Sequence, residues 1–425
     1  MKKVLRGLII ALGVLIMSSG AHRIVNAAEE EKPLGLGWLS LDCCIGPLDK
    51  AIGDGKGSLQ KALGLNFGGY LDSSYTWSSN HPRSPSNISG RYFDKDNNKV
   101  VFNDFHLFVE KPEKDWGVGF RVSGDFGRTG ELLREATLWG KSLHKEPSAE
   151  LREAYLTTTI PVGEGIGVKG GLFVTTLGTE ILPNPGAYND NISRSFLFNW
   201  GIPLRHLGML FNYQAHKIVN VNFGVVTGWD DPNDNNHQPS FMGGVTLTPS
   251  EGIKTILGDL GRTLPDDVLS FASNLIYGAE QRNGAPKRFT ISNVLTVKPI
   301  DALALYLEYT YGQEDDASLG GTRDAQWQGL SAIGSYNWTD RFNTALRAEF
   351  FNDRDGARLG GEPFGSHANA TLAEATLTGS YKFTKMLLGR TEVRHDWSDR
   401  RMFKRGASSA DSNQTTLAMQ LIYTF

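Results

Sequence analysis

Trp116-Gly117-Val118-Gly119-Phe120-Arg121-Val122-Ser123-Gly124-Asp125-Phe126 alternates along its length. Trp116, Val118, Phe120, Val122 and Phe126 fall in one register, with small Gly124 between the last two. Gly117, Gly119, Arg121, Ser123 and Asp125 fall in the other. Side chains along a strand point to opposite faces in turn, so this stretch predicts a strand with one apolar and one polar face. The C-terminus repeats the pattern: Leu417, Met419, Leu421, Tyr423 and Phe425 alternate with Ala418, Gln420, Ile422 and Thr424. Upstream, Ala373, Ala375, Leu377, Tyr381 and Phe383 alternate with Glu374, Thr376, Thr378, Ser380 and Lys382.

About sixteen segments read this way, within a range of roughly fourteen to eighteen. They cover 65–78, 100–111, 116–127, 149–162, 165–177, 203–215, 217–229, 239–248, 268–279, 287–298, 302–314, 325–338, 341–353, 370–383, 386–397 and 413–425. Each is long enough for a tilted strand to cross a bilayer. The connections alternate short and long. Short ones include Lys111 to Asp115, Pro161 to Glu164, Lys298 to Asp301 and Phe383 to Lys385; most long ones, such as 79–99, 178–202 and 353–369, are rich in Gly, Asn, Asp, Pro and Ser. This predicts an all-β, antiparallel, up-and-down transmembrane β-barrel with short periplasmic turns and long extracellular loops. Segment 249–267 breaks the rule, being long where a turn belongs; it reads as a periplasmic insertion or a missed strand.

The N-terminus predicts export. Lys2, Lys3 and Arg6 precede an apolar run from Leu8 to Met17, and Val25-Asn26-Ala27 supplies small residues for cleavage. Residues 1–27 therefore read as a signal peptide, 28–64 as a periplasmic leader and 65–425 as the barrel. Without residues 1–27 the chain keeps 39 of its 43 bases against 46 acids, a net charge near −7 that argues against nucleic acid as a partner. Hydrophobic content of 40% does not exclude a membrane barrel, in which only alternate residues meet lipid.

Charges at the inward register are the candidate pore lining: Arg121, Asp125, Arg347, Glu349, Glu374, Arg390, Glu392 and Arg394, with Asp396 beside them. A charge facing lipid at mid-bilayer costs about 2–4 kcal/mol for Arg or Lys, so these side chains belong in the lumen. There they either form a transverse field for ions or brace the barrel as a salt-bridged ladder. The loop around 178–202, with Glu180, Asp190, Arg194 and Trp200 among stiffening prolines, is the candidate constriction. Tyr423 and Phe425 form an aromatic end of the kind read as an assembly signal.

No catalytic motif is present. Gly163 to Gly171 lacks the Gly-Lys-Ser/Thr ending of a phosphate loop and leads into a strand. His106, His206 and His395 lie on predicted strands without a paired nucleophile motif. Cys43 and Cys44 are adjacent, which suits neither a metal nor a haem site. The sequence implies no metal, no cofactor and no enzymatic step.

Several short stretches carry a resemblance: Gly68-Gly69-Tyr70-Leu71-Asp72, Glu110-Lys111-Pro112, Gly117 to Arg121, Glu153-Ala154-Tyr155-Leu156, Gly170-Gly171-Leu172-Phe173-Val174, Gly178-Thr179-Glu180, Ser193-Arg194-Ser195 and Tyr277-Gly278-Ala279-Glu280. With them the chain resembles the OmpL-like β-barrel porin-2 family over about residues 65–425. The resemblance implies a pore-forming outer-membrane barrel and brings no catalytic residues. The expected function is passive diffusion of small hydrophilic solutes or ions through a water-filled channel; the alternative is a plugged or partner-binding structural barrel. Expected partners are outer-membrane lipid and lipopolysaccharide, the barrel-assembly machinery and the solutes themselves. Assembly as a homotrimer stays open, because no residue pattern decides it.

Overall fold

The computed structural model describes residues 64–83, 87–113, 117–136, 149–249, 268–282, 284, 286–318, 321, 323–359 and 369–425. The predicted signal peptide and leader, Cys43 and Cys44, and nearly all of 249–267 lie outside these residues.

The strands are β1 (Asn66–Ser78), β2 (Lys99–Lys111), β3 (Val118–Phe126), β4 (Ala149–Ile160), β5 (Ile166–Val174), β6 (Arg205–His216), β7 (Val219–Val226), β8 (Ser240–Leu247), β9 (Leu269–Ala279), β10 (Lys287–Ile300), β11 (Leu303–Glu314), β12 (Ala325–Asn337), β13 (Phe342–Asp353), β14 (Ala370–Lys382), β15 (Leu387–Ser398), β16 (Phe403–Arg405), β17 (Ser409–Asp411) and β18 (Asn413–Thr424). Sixteen of them, β1–β15 and β18, close into one antiparallel barrel in sequence order; β16 and β17 form a small hairpin between β15 and β18. Closure satisfies the strand edges that would otherwise be exposed to lipid. Among the described residues no helix is long and apolar enough to cross a membrane, which does not bear on strands.

The distribution of polarity is the reverse of a soluble protein. Large apolar side chains such as Val100, Leu156, Leu377 and Met419 are exposed, while Arg152, Asp125, Arg347, Arg394 and Asp396 are buried. Lipid solvates the outer face, and the charged groups turn inward to one another.

The barrel closes where β1 meets β18, with Tyr70 opposite Thr424 and Ser78 opposite Thr416. Phe425 extends the seam: its amide donates to the Gly69 carbonyl at 3.0 Å, and the Gly69 amide donates to the Phe425 carbonyl at 3.1 Å. A Cβ at Gly69 would lie 2.2 Å from the His106 carbonyl oxygen and 2.7 Å from the Phe425 ring, so only glycine lets the chains approach this closely.

Three details differ from the sequence reading. The stretch 128–148, expected as loop, begins with helix α1 (Arg128–Ala136), whose Leu132 and Leu133 are fully buried. Nine residues are too few for a helical period to stand out from a Gly-flanked loop. β5 and β7 also end three residues sooner than the alternation predicts, at Val174 and Val226. Leu177 and Trp229, which follow them, leave the sheet to join a buried apolar cluster.

Candidate functional site

The connection between β5 and β6, residues 175–204, folds into the barrel. Glu180 pairs with Arg347 of β13 at 2.8 Å, and three residues later the Pro183 carbonyl accepts a hydrogen bond from Arg152 of β4. By the shorter route around the closed sheet β4 and β13 are seven neighbours apart, so a segment touching both crosses the lumen.

Carboxylates on the wall hold this loop by its backbone. The Phe196 and Leu197 amides donate to Glu349 of β13 at 2.6 and 2.7 Å. The Ile192 and Ser193 amides donate to Glu392 of β15 at 2.6 and 3.1 Å, and the Thr179 amide donates to Glu308 of β11 at 2.9 Å. Within the loop, the Ser195 amide donates to Glu180 at 2.7 Å. Arginines hold the carbonyls: Arg347 donates to Ser193 O, Arg390 to Asn189 O and Arg394 to Arg194 O, at 2.7, 2.6 and 2.7 Å. Each bond to an ionised partner contributes about 1.5–3 kcal/mol, and burial makes each obligatory.

The structure thus brings Arg347, Glu349, Glu374, Arg390, Glu392 and Arg394 together. Arg347 pairs with Glu374 at 2.5 Å, Arg394 with Asp396 at 2.6 Å, and all six candidates are at most 5% exposed. Of the loop candidates, Glu180 is held as above, and Asp190 accepts from Ser335 Oγ at 2.7 Å. The Arg194 guanidinium lies 5.7 Å from the centre of the Phe198 ring. Burial raises the Asp190 pKa above the ordinary carboxylate value.

Asp125 belongs to a second network across the barrel. It accepts from Arg152 and pairs with His106 Nδ1 at 2.8 Å, while Arg152 also reaches Asp104 at 3.1 Å and the Tyr70 hydroxyl at 3.0 Å. Ligand atoms of Asp104, His106 and Asp125 lie within 4.8 Å of one another, a spacing that suits a metal ion, but the Arg152 guanidinium already supplies the cation there. Arg121 sits apart, nearer the short-turn end. It pairs with Glu110 at 2.8 Å and Glu153 at 2.9 Å and donates to Asn184 of the loop at 2.7 Å.

Simple alternation missed Arg152 and Asp104. Both lie beside register shifts, between Ser123 and Gly124 for β4 and between Asp72 and Ser73 for β2, where an extra residue changes which side chains point inward. Glu308 was readable as inward from Leu305, Leu307 and Tyr309 around it, but its loop partner was not. His206 binds the Gly228 carbonyl and Thr175 Oγ1, at 3.0 and 3.1 Å, and His395 binds Thr415 Oγ1 at 2.7 Å.

The opposite wall differs. In the short-turn half of β6–β9 the inward side chains include Asn212, Asn220, Asn222 and Asn274, with Gly244 among them. Asn212 and Asn220 exchange hydrogen bonds at 2.6 and 3.0 Å, and Asn222 donates to Asn274 at 3.1 Å. At the other end of these strands Asp230 receives the Leu204 and Arg205 amides at 2.7 and 2.8 Å, and burial raises its pKa to about 6.

A closed sixteen-strand barrel with an apolar outer face, charged clusters on its inner wall and the 175–204 connection folded across its lumen defines an outer-membrane porin architecture. Residues 64–425 match the family described as "Putative beta-barrel porin-2, OmpL-like", and the chain belongs to that family. It is a bacterial outer-membrane β-barrel. Its fold is similar to the outer membrane channel DcaP of Acinetobacter baumannii (15% identity, 85% of this chain and 97% of that one, TM-score 0.55). It is similar as well to an anion-selective porin from Comamonas acidovorans (11%, 85% and 99%, TM-score 0.55) and to the trimer form of OmpT from Vibrio cholerae (13%, 85% and 99%, TM-score 0.53). No curated protein matches the sequence.

Proposed function

We propose that the protein is a passive channel for small hydrophilic solutes or ions. The observation that carries this reading is the amide-lined wall: Asn212 is exposed on the inner face, in a barrel whose outer face is apolar. Amide side chains offer donors and acceptors to a hydrated solute without holding a fixed charge. The buried charges of β13–β15 hold the inward loop in this reading, and the loop sets the width of the passage. Arg121, with its side chain 12% exposed, is the candidate from the ionic set that meets the solute. No catalytic step is assigned.

The proposal extends to biogenesis and assembly. Residues 1–27 direct export, the barrel-assembly machinery reads Tyr423 and Phe425, and lipid with lipopolysaccharide surrounds the apolar face. A homotrimer is included because the similar Vibrio cholerae protein has a trimer form. Cross-linking in native membranes tests it.

One observation favours a plugged barrel instead: Leu177, Phe196, Leu197 and Ile202 of the loop form a single buried cluster with Met242, Ile276, Trp327 and Phe351 of the wall. Single-channel recording of the refolded protein separates the two. Stable steps proportional to salt concentration support the channel; a folded barrel that never conducts supports the plug.

A further inference from the structure

A cavity of about 320 Å³ lies in the lumen, bounded by Phe108, Arg121, Glu153, Tyr155, Asn184 and Pro185. Its size is at the lower end of small-molecule sites. One end carries surplus negative charge. Arg121 is shared by two carboxylates, Glu110 and Glu153, donates to the Asn184 side-chain oxygen, and lies 4.5 Å from the centre of the Phe108 ring. Glu110 keeps a third of its side chain exposed.

Beside Tyr155, next to the cavity, stands a cation with no ion-pair partner among the described residues. Lys169 of β5 places its ammonium 4.6 Å from the centre of the Tyr155 ring and 5.9 Å from that of Phe173. Among the described residues no carboxylate lies within 4 Å of it, whereas the arginines around the inward loop are paired or bonded to the backbone. Aromatic faces steady an ammonium by about 0.5–2 kcal/mol but do not neutralise it. Opposite Tyr155 stands Gly171, with φ +134; a Cβ there would lie 2.2 Å from the Ala154 carbonyl oxygen, so no side chain intrudes beside the ring.

Resting on the channel reading, we infer that this cavity is a subsite for small zwitterions of amino-acid to dipeptide size. The solute carboxylate meets Lys169, its ammonium meets Glu110 and Glu153, and an apolar side group lies against Pro185 and the parts of Phe108 and Tyr155 that Arg121 and Lys169 leave uncovered. Each end of the site lacks the charge that such a solute brings, whereas a singly charged solute would satisfy one end and oppose the other.

The test is block of single-channel current by glycyl-phenylalanine, its N-acetylated form and its C-terminal amide, which differ in charge but little in size. The zwitterion is expected to block at about ten-fold lower concentration than either analogue. Lys169→Met should weaken block by the zwitterion and by the acetylated anion about ten-fold and strengthen block by the cationic amide, which no longer meets an opposing ammonium. Glu110→Gln, at a side chain a third exposed, should weaken the zwitterion and the amide and not the acetylated anion. Equal block by all three, or block indifferent to both substitutions, overturns the subsite while leaving the channel intact. If the barrel never conducts, titration of the same three compounds by calorimetry decides the subsite alone: tighter zwitterion binding upholds it, and equal or no binding overturns it.

Discussion

The wall formed by β13–β15 and the wall formed by β6–β9 belong to one closed sheet yet have opposite chemistry. The first is ionic and buried: Arg347, Glu349, Glu374, Glu392 and Arg394 bond to the inward loop or to one another. The second, in its short-turn half, is uncharged, and its asparagines bond to each other. The contrast separates two uses of an inward polar residue. A buried charge demands a partner and so fixes a loop; an exposed amide tolerates exchange with water and so leaves a path. A count of lumen charges is therefore a poor guide to selectivity when most of them already have fixed partners.

Removing the central cation of the ionic wall should have the largest effect. Arg347→Ala leaves Glu180 and Glu374 buried without it and frees the Ser193 carbonyl, a loss of about 3–5 kcal/mol for a broken buried pair. The expected result is a lower temperature for heat-induced unfolding on gels and a larger, noisier conductance as the loop detaches. Unchanged behaviour would mean that the ionic wall does not hold the loop.

The boundary between the walls should respond to pH. Asp230 anchors the amides where the loop returns to β6, and its pKa is raised from 3.8 to about 6. A carboxyl whose pKa is raised on folding favours the folded state most below pH 4. That contribution falls as the pH rises toward 6 and is flat above it. Asp230→Asn keeps an acceptor and tolerates the left-handed backbone, with φ +55, found here. The stability difference between wild type and Asp230→Asn should therefore change across pH 4–6, by up to about 3 kcal/mol at 1.36 kcal/mol per pKa unit. A flat difference would place Asp230 in contact with water. A smaller effect is expected from Glu392→Gln, which keeps one acceptor for the Ile192 and Ser193 amides but loses the charge, about 1–2 kcal/mol. Faster proteolysis within 190–195 of the detergent-solubilised barrel would register it.

The barrel was legible because a two-residue period repeated over sixteen strands leaves few alternatives, and the connections other than 249–267 agreed with it. Strand limits were off mainly where the chain leaves the sheet for packing reasons, as at Leu177 and Trp229. The candidate site was legible one residue at a time: Arg347, Glu349 and Glu374 read as inward from their neighbours. Their partners were not, because Glu349 meets the Phe196 amide 153 positions away and no local pattern encodes that meeting. Arg152 and Asp104 stayed hidden for a different reason, since a bulge resets the alternation on which the reading depends.

The smallest change in stability should bring the clearest change in selectivity. Asn212 is exposed on the uncharged wall and exchanges hydrogen bonds with Asn220. In Asn212→Asp the carboxylate still accepts from the Asn220 amide and stays hydrated, so the cost should be within about 0.5 kcal/mol. A new fixed negative charge on the solute path should shift the reversal potential in a salt gradient toward cations, more so at low salt where screening is weak. Arg390→Gln, on the ionic wall, makes the net charge more negative by the same amount but sits where the cation is buried on the Asn189 carbonyl. It should lower stability and move the reversal potential less. If the two substitutions shift selectivity equally, the walls are not functionally distinct and the path runs along both; if only Arg390→Gln shifts it, the solute follows the ionic wall.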